Sequence, residues 1–157
     1  MNPKRRLKRQ VKGKEEPEGF LRLAREFVAA GQLVLNRTNE VSFPAYFLFG
    51  RAIELSLKAF LLRSTLSIDV LSRAPYGHNL VSLLETAIND GLANVVALSA
   101  QEQATIQLLS DDYTDKRFEY PVAGATYHLP LISETDQVAM KLLRAMEAPL
   151  GSTDGDA

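Results

Sequence analysis

The segment from Pro44 to about Ser64 constrains this chain more than any other. Phe47, Leu48, Ala52, Ile53, Leu55, Leu57, Phe60, Leu61 and Leu62 lie nearly all round a helix, and Pro44 suits its first turn. An apolar cylinder of this kind has to be surrounded by the rest of the fold. It is interrupted by Arg51, Glu54 and Lys58, spaced i, i+3 and i+7 and so on one face. Such charges need partners. One reading is an intrahelical Glu54–Lys58 pair on a strip that faces water, worth about 0.2–0.5 kcal/mol. The other is that the triplet belongs to a site.

Around this helix the spacing predicts four more. The first runs from about Glu18 to Asn36, with Phe20, Leu23, Phe27, Val28 and Leu35 on its apolar face and Gly31 weakening its middle. Another starts after Gly77, capped by His78 or Asn79, carries Leu80, Leu83, Leu84, Ala87 and Ile88, and stops at Asp90-Gly91. The fourth opens on the capping box Ser99-Ala100-Gln101-Glu102 and runs to about Tyr113. The last opens on Ser133-Glu134-Thr135-Asp136 and reaches about Glu147, before Pro149. The expected class is all-α, a five-helix bundle with a long loop, Thr114 to Ile132, before the last helix. A helix apolar all round also predicts a homodimer, since five helices are few to cover it.

Charge divides the chain. Met1–Lys14 holds Lys4, Arg5, Arg6, Lys8, Arg9, Lys12 and Lys14 with no acid, seven of the 18 Lys and Arg. That leaves eleven basic against 19 acidic residues elsewhere, a body of net charge −8 with a cationic arm suited to phosphate. Residues 1–17 are expected to be a basic flexible tail, 18–148 the helical domain and 149–157 a disordered tail. There are no cysteines, which excludes disulfides, thiolate metal sites and cysteine nucleophiles. The first residues lack the apolar stretch of a signal peptide and no run is long enough to span a bilayer, so a cytoplasmic protein without membrane contact is expected.

Two further clusters carry chemistry. Tyr76-Gly77-His78-Asn79-Leu80 brings a histidine to a helix start, where it serves as a cap, a packing residue or a proton carrier. Asp111-Asp112-Tyr113-Thr114-Asp115-Lys116-Arg117-Phe118-Glu119-Tyr120-Pro121 offers Arg117 as a fork for phosphate and Tyr113 and Tyr120 for stacking on a base. The same residues have a structural reading, in which Tyr113, Phe118 and Tyr120 anchor the long loop and Arg117 pairs with a neighbouring aspartate. There is no Gly-rich phosphate loop, no metal-ligand spacing and no Gly-x-Ser-x-Gly elbow, so neither a metal nor a cofactor is expected.

The three clusters, in this order, resemble the HEPN family, the nucleotide-binding domains of higher eukaryotes and prokaryotes. The resemblance covers about residues 20 to 147. It rests on Ala52-Ile53-Glu54-Leu55-Ser56-Leu57-Lys58-Ala59, on Gly77-His78-Asn79-Leu80, and on Tyr113 with Arg117-Phe118-Glu119-Tyr120-Pro121. It implies an up-and-down helical bundle, frequent homodimers, and links to toxin–antitoxin or antiviral systems. A nucleotide or RNA ligand would then be bound through Glu54, Lys58, His78, Tyr113, Arg117 and Tyr120, or a cognate partner protein would dock there. Ribonucleases of the family carry an Arg, four to six residues, then a His. Arg117 has no histidine in that range, His128 being eleven positions on, whereas Arg73 and His78 fit the spacing but lie earlier and lack the usual polar residue after the Arg. The expectation is a binding module without the intact ribonuclease motif. The alternatives are a metal-independent ribonuclease using Arg73 or Arg117 with His78, and a purely structural interaction subunit.

Overall fold

The computed structural model describes residues 16–37, 41–64 and 66–148. Most of the basic tail and the segment from Pro149 onward lie outside them. Six α-helices follow in order: α1 Pro17–Leu35, α2 Phe43–Ser64, α3 Ile68–Leu71, α4 Leu80–Asn89, α5 Ala100–Thr114 and α6 Ile132–Glu147, with a 3-10 turn at Leu92–Asn94. There is no strand among the described residues, and the class is all-α. The additional helix, α3, is a single turn whose Ser67 hydroxyl caps Val70 N–H, too short to leave an apolar period in the sequence.

Helix α2 is the axis of the bundle. Its side chains are buried almost continuously from Ala45 to Leu61, against α1, α6, α4 and α5 of the same chain. Burying each large apolar side chain contributes about 1.5–3 kcal/mol, and Phe49, Ile53, Leu57 and Leu61 are all fully enclosed. Because the chain wraps α2 by itself, the apolar surface of that helix gives no reason for a second copy.

Helix α1 starts at Pro17, a first-turn residue whose missing N–H costs nothing there. Its buried face is Leu21, Ala24, Val28 and Gly31; Leu23, expected inside, is 39% exposed. Gly31 has a packing purpose, because a Cβ there would lie 2.8 Å from the Phe49 ring of α2. At α4 the cap is Asn79, whose side-chain oxygen accepts from Ser82 N–H at 3.1 Å. The capping box of α5 forms as expected, with Ser99 Oγ accepting from Glu102 N–H and Glu102 Oε2 from Ser99 N–H. Lys141 of α6 reaches the same carboxylate at 2.8 Å, and this contact first, then Ser99 N–H, hold Glu102 below the usual glutamate range. Helix α6 begins at Ile132 rather than Ser133. Leu131 is its cap residue, and its carbonyl accepts from both the N–H and the hydroxyl of Thr135.

The long connection from α5 to α6 is pinned by aromatic rings. Phe118 is buried against Phe43 and Tyr46, each with its ring centroid at 5.6 Å, and the Tyr127 ring packs at a tilt against Phe43 at 4.5 Å. Tyr46 donates to the Pro130 carbonyl at 2.6 Å, and burial pushes its phenol above the ordinary range. Tyr120, expected among these anchors, is 72% exposed. Among the described residues, no helix is long and apolar enough to cross a membrane.

Candidate functional site

Glu54 is fully buried, and its carboxylate gathers donors from three parts of the fold. On Oε2, Arg51 Nη1 donates at 2.6 Å and Lys58 Nζ at 3.2 Å, both from the same helix one turn away on either side. On Oε1, His78 Nδ1 lies at 2.7 Å and the Tyr113 hydroxyl donates at 2.9 Å, from the loop before α4 and from α5. The expected Glu54–Lys58 pair is therefore present but not on a strip facing water. It is one arm of a buried network that ties α2 to α4 and α5.

Local structure explains why the partners arrive. Asn79 caps α4, which leaves the His78 side chain free of capping duty, and Thr114 Oγ1 donates to the His78 carbonyl at 3.3 Å. Gly50 admits the Tyr113 ring against α2, since a Cβ at that position would meet the ring at 2.5 Å. Burial first, then the adjacent Glu54 charge, push the Tyr113 phenol far above its ordinary range, so it stays a donor.

The network borders an open cleft of about 200 Å³ lined by Phe47, Arg51, His78, Tyr113, Lys116 and Glu119. With Arg51 and Lys58 on its other oxygen, Glu54 acts as acceptor toward the imidazole, which places the proton on Nδ1. Nε2 is then the ring nitrogen left for the cleft, on a side chain 47% exposed. Phe47 stacks on Tyr113 with centroids 6.4 Å apart, giving the cleft an aromatic wall.

Lys116 is held at the rim by the way α5 ends. Its N–H bonds the Tyr113 carbonyl and the next N–H, of Arg117, bonds the Asp112 carbonyl, the paired closure that requires a left-handed residue between them. Lys116 fills that position with φ 57°, where glycine is the usual residue and a side chain costs about 1–2 kcal/mol.

The residues predicted from sequence divide. Glu54, Lys58, His78 and Tyr113 form one cluster. Only His78 and the Tyr113 ring line the cleft, while Glu54 and Lys58 act from behind it. Arg117 is elsewhere. Its guanidinium pairs with Asp112 at 2.7 Å, donates to the Thr126 carbonyl and lies over the Tyr127 ring at 4.5 Å, which makes it a tether of the long loop. Tyr120 is exposed and is not among the residues that line the cleft. Arg73 is exposed, with no side-chain hydrogen bond or ion pair among the described residues, so the Arg73–His78 spacing does not become a pair. The arginine sharing the cleft with His78 is Arg51. Sequence reasoning grouped Arg51 with Glu54 and Lys58 without assigning it to a site, and it passed over Phe47, Lys116 and Glu119. Among the described residues, no group of three or more His, Asp or Glu is placed to hold a metal ion.

No protein-family model matches the chain, and neither a curated protein nor a solved structure does.

Proposed function

We propose that this chain is a HEPN-like module that binds a phosphate-bearing nucleotide or RNA in the cleft between α2, the start of α4 and the end of α5. The observation that carries the reading is the Glu54–His78 contact at 2.7 Å, which fixes one imidazole nitrogen and turns the other toward a cleft shared with Arg51 and Lys116. A fixed imidazole and two cations suit phosphate oxygens, and the Phe47 wall suits the face of a base.

Titrating the full chain at low salt with nucleoside diphosphates and short RNA tests it. His78→Ala and Arg51→Ala should each weaken binding about tenfold or more, the value of a charge-assisted contact. Unchanged affinity in both variants, or no binding by the natural chain, would sink the assignment.

A ribonuclease reading has one observation in its favour. A carboxylate-oriented histidine beside an arginine is a proton carrier next to a stabiliser of phosphorane charge. Labelled RNA incubated with EDTA separates the two: cleavage that disappears in His78→Ala selects catalysis, and intact RNA selects binding alone.

A further inference from the structure

Of the two cations that line the cleft and Lys58 behind it, Arg51 and Lys58 are both engaged by Glu54. Lys116 differs, because its ammonium makes no ion pair or hydrogen bond among the described residues, although Asp111 and Asp115 are close in sequence. It also stands at a backbone position where the fold itself asks for glycine. The closure of α5 uses only the Lys116 and Arg117 N–H groups and the left-handed φ, and any residue supplies the first while glycine supplies the second without strain. The fold therefore gives a reason for the conformation and none for the lysine.

A lysine near a helix C-terminus does interact favourably with the last carbonyls, but that preference is met from several positions and does not select the left-handed one. What this position adds is a place in the cleft lining. Together with Glu119, which lies one turn on in a segment closed by the Tyr120 N–H to Lys116 carbonyl bond, Lys116 lines the same cleft as His78 and Arg51.

We propose that Lys116 is a ligand-binding residue of this cleft, kept in a conformation unfavourable for a side chain because its ammonium is the cation left available for a phosphate group. The inference rests on the nucleotide reading above and adds the residue that supplies the unspent charge. It separates fold from function at a single position, since replacing lysine by glycine should help the first and harm the second.

Three variants of the full chain, Lys116→Gly, Lys116→Ala and Lys116→Arg, would be melted and then titrated with inorganic pyrophosphate and the four nucleoside diphosphates. Lys116→Gly is expected to melt at or above the temperature of the natural chain while binding about tenfold more weakly. Lys116→Ala is expected to lose binding equally, and Lys116→Arg to retain it. Binding by Lys116→Gly as tight as that of the natural chain would overturn the role of Lys116 and leave the His78 reading standing. A lower melting temperature for Lys116→Gly would show that the lysine serves the fold, and would overturn it too. Failure of the natural chain to bind any of these probes, and short RNA as well, would end both readings together.

Discussion

Glu54 and Asp112 are both acids sunk beneath the surface, one on α2 and one on α5, and their surroundings differ. Glu54 receives four donors, two on each oxygen, from α2, α5 and the loop before α4. Asp112 has one ion pair among the described residues, with Arg117 at 2.7 Å, and burial pushes its carboxyl above the usual aspartate range despite that arginine. The difference shows what each cluster is for. A single arginine suffices to tether a loop. Holding an imidazole in one orientation requires a carboxylate whose remaining capacity is fully occupied, so that His78 has one place to bond.

The comparison breaks first at Glu54. Glu54→Leu would leave Arg51 and Lys58 without their carboxylate and release His78 and Tyr113, and removing one side of a buried charged network costs about 3–5 kcal/mol. Urea unfolding that shows a loss below about 1 kcal/mol would mean that the network does not join the helices. A gentler break touches no polar atom. In Gly50→Ala the new Cβ would press on the Tyr113 ring, for which overpacking costs about 1–3 kcal/mol, and ligand binding should weaken because His78 loses a neighbour on Oε1.

At the other acid, Arg117→Ala should cost about 1–3 kcal/mol, at the lower end because the guanidinium is partly exposed. Affinity in the cleft should stay the same; a large loss of binding with little change in melting would return Arg117 to the site. The smallest effect is in pH dependence. Since folding raises the Asp112 value, the unfolded chain releases its proton first as pH rises, and Asp112 contributes a fall in stability across the window just above the ordinary aspartate value. Glu102 contributes the reverse, stability that is lost as pH falls through its lowered folded value. Unfolding Asp112→Asn and Glu102→Gln across the acid range should therefore change the slope in opposite directions, and equal signs would contradict the assigned causes.

The elements with a long period or a named cap were legible in the sequence. The charges at 51, 54 and 58 on an apolar helix marked the hub, and Ser99-x-x-Glu102 marked the start of α5. The fate of Arg117 was not legible, because phosphate and Asp112 ask the same fork geometry of a guanidinium and order along the chain does not distinguish them. Tyr127 took the anchoring place expected of Tyr120, a choice made by how the loop folds back onto Phe43. Lys116 was hidden for another reason. Its importance lies in a backbone angle, and lysine carries none of the turn preference that would announce a left-handed residue.

The glycine at 31 has a consequence for how the first two long helices find their setting. With the Phe49 ring resting where a Cβ would be, Gly31 acts as an index notch between α1 and α2. Sliding α1 by one turn in either direction would bring Phe27 or Leu35 under that ring, and neither leaves room for it. The pair of helices is thus keyed to a single axial alignment by the absence of one carbon atom. The usual route to a more stable helix, replacing an interior glycine by alanine, is barred at the place where it looks most inviting.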